Sequence, residues 1–374
     1  MWRPYTSTMP PRHLDEVLAA LERVAPLVPA HAAEADRTGT VPAELIDALF
    51  RERLFRLWIP ADLDGDELGV PDSLEVFEAA ARLDGAIGWL VTIGVGGGLF
   101  AATMERETAR EVYLPSRALI AGSGAASGRA MREGDQYRVS GRWRYASGAH
   151  SASWFTANCQ VIDSEEFGEP SVRAFAFPVE GVTVLDTWHV SGMRATGSHD
   201  FEVNDLLVPE RYLFDVFGTP REEGSLYRFP FSSIAQASFA AVALGIARHA
   251  LDVFHIEVPE HRRDAAGVLT AIEEASAAVV AAREALHAAV RNAWAQVERG
   301  DDVEEGIRHA IALAAFRASD ASVRAAEQCY RLGGMAAAFE AGELNRAWRD
   351  VHTVSQHSAL ARPSDEAPWD MTAR

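Results

Sequence analysis

The chain has 374 residues, 48% of them hydrophobic and 24% charged, which is the make-up of a globular protein with two or three packed units and excludes a disordered chain. Its formal net charge of −19 excludes the clustered lysine and arginine that nucleic acid or an anionic membrane surface requires. Cys159 and Cys329 stand far apart in apolar stretches and are expected reduced and buried. No uncharged apolar run of about 18 residues stands out, so no transmembrane helix is expected. The N-terminus lacks a signal-type apolar core, and a cytoplasmic location is the expectation.

The chain opens on helical spacing, with Leu14, Val17, Leu18 and Leu21 on one stripe. A second helix is expected from Pro42, where proline suits a first turn, carrying Leu45, Ile46, Leu49 and Phe50. The run from Asp62 to Pro71 has a calcium-loop look but lacks the full ligand pattern, and no metal is expected there. Asp72 or Ser73 is expected to cap a helix to about Leu83, and an apolar helix should follow from Ile87 to about Met104. From Ala118 to Pro209 short apolar runs alternate with Gly, Asp, Asn and Ser, the texture of a β domain with tight turns. From Phe229 the pattern is helical again, with long helices over Ala265–Glu298, Glu304–Leu332 and Glu343–Ala361. Gly333-Gly334 reads first as a helix stop.

Three segments carry a resemblance. Gly141-Arg-Trp-Arg-Tyr-Ala-Ser-Gly-Ala-His-Ser-Ala-Ser-Trp154 resembles the strand–turn–strand of acyl-CoA dehydrogenases. Trp188-His-Val-Ser-Gly-Met-Arg-Ala-Thr-Gly-Ser-His-Asp200 resembles a second segment of the same β domain, and Ala347-Trp-Arg-Asp350 after Arg331-Leu-Gly-Gly334 resembles the closing helices. Within that superfamily the chain is most similar to the two-component flavin-dependent monooxygenases of group D, such as 4-hydroxyphenylacetate hydroxylase, dibenzothiophene monooxygenase and the nitrososynthases. The segment Leu226-Tyr-Arg-Phe-Pro-Phe231 and the pair Ser147-Gly148 look like that branch.

The resemblance implies an α+β, acyl-CoA dehydrogenase-like fold. It comprises an N-terminal helical domain over 1–115, a central β-barrel or sandwich domain over 116–215 and a C-terminal four-helix bundle over 216–374. By the same resemblance, Tyr145 stands where the family packs a tryptophan on the flavin, and Ser147 where a threonine addresses the flavin. Gly148, Ser123, Arg194, Thr196, Gly197 and Ser198 are further cofactor candidates, and Gly333 and Gly334 are placed near a neighbouring subunit's cofactor. The implied cofactors are reduced flavin, as FADH2 or FMNH2, and O2. The implied partners are a separate NAD(P)H–flavin reductase, a small-molecule substrate and further copies of the chain in a homotetramer or homodimer.

The chemistry favours oxygenation. A dehydrogenase of this kind needs a carboxylate base beside the flavin, commonly a Glu about nine residues after the Arg of an Arg-Asp pair in the last helix. Here the pair is Arg349-Asp350, no acidic residue follows before Asp365, and the matched place falls on His357 or Ser358. An oxygenase instead needs a dry site with a hydrogen-bond donor. His357 can donate or take a proton, and the Ser147 hydroxyl is expected to donate to the flavin. His352 lies about 140° around a helix from His357 and reads as structural or interfacial. His150 and His199 read as turn residues. Two departures stand out: no histidine follows Gly88-Trp89, and the loop between Phe254 and Ala265 is short. A dehydrogenase or oxidase with a displaced base, and a non-catalytic protein on the same fold, are the competing readings.

Overall fold

A computed structural model describes residues 10–162, 171–263, 265 and 267–363. Six helices come first: α1 (Leu14–Val24), α2 (Leu27–Thr38), α3 (Ala43–Arg51), α4 (Val70–Leu83), α5 (Gly85–Gly96) and α6 (Arg106–Tyr113). Seven strands follow: β1 (Ile120–Glu133), β2 (Gln136–Ala146), β3 (Trp154–Ile162), β4 (Ser171–Pro178), β5 (Thr183–Leu185), β6 (His199–Pro209) and β7 (Leu213–Phe214). The chain closes with α7 (Ser225–Arg228), α8 (Phe231–Glu257), α9 (Glu260–Arg263), α10 (Val268–Glu298), α11 (Glu305–Gly333) and α12 (Glu343–Val354).

The first and last sets of helices share one hydrophobic core, with α8 through its middle. Its small side chains allow close approach. A Cβ on Gly245 would lie 2.6 Å from the Ala81 Cβ, and one on Gly88 would lie 2.5 Å from the same atom, so α4, α5 and α8 cross with little between them. A buried ionic cluster of Glu75, Glu78, Arg283 and His287 pins α4 to α10.

The strands join in a single sheet of order β5-β6-β2-β1-β3-β4-β7, where the sequence left a barrel or a sandwich open. Among the described residues only β1 and β3 pair in parallel. Trp143, Phe155, Phe175, Phe177 and Phe201 fill a second core beneath it, and Trp143 Nε1 donates to the Asn158 carbonyl at 2.9 Å. Cys159 and Cys329 are buried and unpaired, and burial pushes both thiols up to about 12.

Several expected boundaries move. Helix α2 was not anticipated at all. The helix expected to be capped by Asp72 or Ser73 begins at Val70, because the buried Ser73 hydroxyl is engaged with Trp58 Nε1 at 2.8 Å. The apolar helix expected from Ile87 starts at Gly85, with Asp84 Oδ1 accepting from the Ala86 and Ile87 amides, and tightens into a 3-10 turn at Gly97–Ala102. Contrary to expectation, Gly85–Ala102 and Phe231–Glu257 are long and apolar enough to cross a membrane, but both lie mostly inside the protein. The acidic run after Asp62 faces arginines: Arg12 pairs with Asp66 at 2.7 Å, and Arg56 donates to the Asp64 carbonyl at 2.8 Å.

Candidate functional site

The site forms where the turn after β2 meets the loop before β6, α5 and the end of α12. Strand β2 loses register against β6 between Trp143 and Ala146, and Tyr145 takes a left-handed φ of 69° there. This bulge turns the Tyr145 ring outward, 63% exposed, and sends Ser147 into the interior, 7% exposed. Gly148, also left-handed at φ 77°, lets its amide donate to the Thr196 carbonyl at 2.8 Å, which ties the two resembling segments together. Trp188 stands edge-on to Tyr145 at 6.1 Å.

A line of hydrogen bonds runs inward from α5. Trp89 Nε1 donates to Ser147 Oγ at 2.9 Å; Ser147 Oγ and Ser198 Oγ are 2.7 Å apart; Ser198 Oγ and Thr196 Oγ1 are 2.6 Å apart; and Thr196 Oγ1 donates to the Met193 carbonyl at 2.8 Å. All three hydroxyls are buried. An indole N–H can only donate and a carbonyl can only accept, so the three hydroxyl hydrogens fill the three links after Trp89 in one direction. The hydrogen of Ser147 is thereby committed to Ser198. The sequence reading made Ser147 a donor to the flavin, but this arrangement leaves it one lone pair and no hydrogen to offer.

His357 meets the same tryptophan from the other side. Its ring centroid lies 5.8 Å from Trp89 and 4.5 Å from Phe239. The expected helix over Glu343–Ala361 stops at Val354, and His357 instead caps a short 3-10 turn at Ser358–Leu360. The reason is local: His357 Nδ1 accepts from the Ala359 amide at 3.2 Å, a bond that competes with continuing the helix. That bond also fixes the tautomer, because an accepting Nδ1 leaves the ring proton on Nε2. Burial lowers the imidazole pKa to about 4, so at neutral pH the ring is an uncharged N–H donor and a weak base.

The loop of the second segment is clamped to α12. Arg349 binds Asp36 through two bonds of 3.1 and 2.7 Å and donates to the Ser191 carbonyl at 2.6 Å. Asp350 Oδ1 accepts from the Met193 amide. A Cβ on Gly192 would sit 2.1 Å from the Arg349 carbonyl, so only glycine permits this approach. Arg346 pairs with Asp84 at 3.1 Å beside Asp350. Burial first, and then Asp84, push the Asp350 carboxyl well above the usual range.

The remaining candidates spread around this centre. Arg194 pairs with Glu340 at 2.7 Å and, with Arg37, His150, Trp188 and His199, lines a cleft of about 850 Å³. His199 is structural, with Nδ1 accepting from the Thr187 and Trp188 amides at 3.1 and 3.2 Å and its ring 4.8 Å from that of His150. Gly197 is left-handed at φ 52°. Ser123 pairs with Ala157 at the last regular position before β1 breaks register. Gly333 and Gly334 close α11, and a Cβ on Gly334 would lie 1.8 Å from Arg262 Nη1. His352 bonds the Trp348 carbonyl at 2.7 Å and packs on that ring at 4.6 Å. Sequence reasoning missed Trp89 and Phe239 as site residues, since each reads as an ordinary core aromatic in an apolar helix.

The known families agree with this fold. The N-terminal domain of acyl-CoA dehydrogenases matches residues 16–118, and their C-terminal domain matches residues 237–362. This chain belongs to the acyl-CoA dehydrogenase family. Its curated relatives include indole-3-acetate monooxygenase of Pseudomonas putida, 27% identical over 87% of this chain and 86% of that protein. Another is the oxygenase subunit of a flavin-dependent monooxygenase from Rhodococcus jostii, 25% identical over 91% of this chain and 93% of that one. Among solved structures, XiaF of Streptomyces sp., in complex with FADH2 and glycerol, superposes with a TM-score of 0.86 at 24% identity, covering 93% and 92% of the two chains.

The residues present fit a flavin. The exposed Tyr145 ring, with Trp188 edge-on beside it, offers an aromatic wall. Ser147 offers a hydrogen-bond acceptor at its edge, and Arg194 offers a cation in the adjoining cleft.

Proposed function

We propose that this protein is the oxygenase component of a two-component flavin-dependent monooxygenase, acting in the cytoplasm on a small aromatic or natural-product substrate. The observation that supports this most is His357: a half-buried, neutral imidazole stands at one of the two positions where the family commonly carries its carboxylate base. Asp350, the nearest carboxylate before it, is engaged with the Met193 amide and Arg346. Reduced flavin, delivered as FADH2 or FMNH2 by a separate NAD(P)H–flavin reductase, supplies the electrons that activate O2. The relative from Rhodococcus jostii is named as an oxygenase subunit, which supports a reductase partner.

In this reading each residue has a limited task. Tyr145 and Trp188 pack a face of the ring system, Ser147 accepts a hydrogen bond at its edge, and the backbone of Gly148, Thr196 and Gly197 shapes the turn. Trp89 and Phe239 exclude water around His357, and His357 holds its Nε2 proton toward the reacting centre. Ser123, Arg194, Gly333 and Gly334 would serve the rest of the flavin, the two glycines from a neighbouring subunit. Assembly as a homodimer or homotetramer is supported by Ile256, Met335 and Phe339, which are 82%, 75% and 68% exposed at one end of the bundle.

The test is His357→Ala, supplied with reductase, NADH and a panel of phenols, indoles and amines. Product formation should fall by about 10²–10⁴, with hydrogen peroxide released instead, while unfolding free energy changes by no more than ~1 kcal/mol. Product formed at the wild-type rate and coupling would remove His357 from the chemistry. Bleaching of bound FAD by butyryl-CoA under anaerobic conditions would replace the oxygenase reading with a dehydrogenase.

A further inference from the structure

The run from Gly94 to Gly98 holds four glycines, and packing accounts for three of them. A Cβ on Gly94 would lie 2.5 Å from the Phe55 ring, one on Gly97 2.8 Å from the Ile120 Cβ, and one on Gly98 3.0 Å from the Ile59 amide nitrogen. Gly96 is different. Its backbone is right-handed helical, with φ −55° and ψ −38°, which any residue adopts. A Cβ there would meet no described atom beyond its own turn within 4 Å. Glycine weakens a helix relative to alanine, so neither backbone nor packing explains its presence. What Gly96 contributes is open space.

That space lies on one stripe. Of the described residues from Gly85 to Ala102, only Ile93, Gly96 and Phe100 keep part of their surface. With Trp89 they recur at i, i+4, i+7 and i+11, one face of a helix. Helix α8 runs against this face. Its Phe239 ring lies 4.7 Å from Trp89 and its Phe231 ring 6.2 Å from Phe100. Ala235 is one turn from each phenylalanine, which sets it against the stretch that holds Ile93 and Gly96. Two aromatic clusters thus bracket a gap between small residues, and His357, 4.5 Å from Phe239, stands at one end of it. At 1.5 Å per residue, Gly96 lies roughly 10 Å along α5 from Trp89. Neither wall, Gly85–Ala102 or Phe231–Ala247, contains an acidic residue, a basic residue or a histidine.

We propose that Gly96 is a specificity-determining residue, and that the gap it leaves between α5 and α8 admits an uncharged aromatic substrate of two or more rings. The proposal rests on the monooxygenase reading given above, which puts the oxygenated ring beside His357. A single ring held there does not span the distance to Gly96. A second ring, fused or linked, extends along the stripe and buries its surface against Ile93 and Ala235. A carboxylate on that second ring would find no cation in either wall, so acids are disfavoured.

The experiment measures dissociation constants for phenol, 2-naphthol and 6-hydroxy-2-naphthoate by calorimetry under nitrogen, on FADH2-loaded wild type, Gly96→Ala and Gly96→Leu. Affinity for FADH2 itself is measured first on each protein. The wild type should bind 2-naphthol about tenfold or more tighter than either of the other two. Gly96→Leu should weaken 2-naphthol about tenfold or more and leave phenol within about twofold, and Gly96→Ala should follow with a smaller loss. The urea midpoint of Gly96→Ala should equal or exceed that of wild type, since the added methyl meets open space. If Gly96→Leu fails to reproduce the wild-type circular dichroism, Gly96→Ala decides alone. Equal losses for phenol and 2-naphthol overturn the proposal, as does no loss for either, or a wild type that holds the naphthoate as tightly as the naphthol. A wild type that takes up FADH2 but none of the three probes also overturns it, and all of these results leave the monooxygenase reading standing. A wild type that does not bind FADH2 removes that reading, and the proposal with it.

Discussion

The backbone of Met193 joins two buried networks of different kinds. Its amide is held by the Asp350 carboxylate, within a lattice that includes Arg346, Asp84, Arg349 and Asp36. Its carbonyl receives the last hydroxyl of the line from Trp89. The first network is ionic and strong, and it fastens the loop of the β domain to α12. The second is neutral, costs less to bury, and carries a direction instead of a charge. Placing both on the backbone of one residue lets the charged side set position while the neutral side sets the direction of the hydroxyl line.

The largest effect is expected on the ionic side. Arg349→Ala leaves Asp36 buried without its partner and frees the Ser191 carbonyl, so the urea unfolding free energy should fall by about 3–5 kcal/mol. A loss near 1 kcal/mol, typical of an exposed pair, would mean that the lattice is not a clamp and that the contrast with the hydroxyl line is false.

Acid separates the networks next. His357 has a folded pKa of about 4, below its ordinary 6.5, so between these values the unfolded chain binds a proton that the folded chain refuses. Stability from this group is therefore present above about 6.5 and is lost as pH falls toward 4, by ~3 kcal/mol in all. Asp350 works in the opposite sense. Its folded pKa is raised, so its contribution is full at low pH and is lost as pH rises. Urea titrations at several pH values should show a shallower acid loss for His357→Asn than for wild type, and a steeper one for Asp350→Asn. Parallel curves for wild type and His357→Asn would show that the imidazole is not buried in the folded protein.

Periodicity carried much of this architecture into view before any coordinates. Helix α10 differs from its expected span only at the start, and the strand-rich texture from Ala118 to Pro209 is the sheet. Helix α2 was invisible because Pro29 sits in its first turn and its buried face is only Val28, Ala32, Ala35 and Asp36, which leaves no apolar stripe to count. The end of α12 was hidden because Val354-Ser355-Gln356 contains no glycine or proline, and a side chain, His357, ends it. The site was legible as two motif turns. Its wiring was not, since Trp89, Ser147 and Ser198 come from three distant stretches and nothing local to any of them states the direction of a hydrogen bond.

The smallest effect distinguishes the two ends of the hydroxyl line. Trp89→Phe keeps an aromatic ring against Phe239 and His357 but removes the N–H that Ser147 accepts. The lost hydrogen bond and the smaller ring should together cost about 1–2 kcal/mol in urea unfolding. The direction of the line should survive. Ser147 still finds an acceptor in Ser198, Ser198 in Thr196 and Thr196 in the Met193 carbonyl, so the tail alone holds every hydroxyl hydrogen in place. Thr196→Val breaks two links, to Ser198 and to the Met193 carbonyl, and should cost more than Trp89→Phe, by about 1 kcal/mol. A larger loss of unfolding free energy in Trp89→Phe than in Thr196→Val would place the weight of the line at the indole head. The Met193 backbone would then be only a mechanical joint between the two networks.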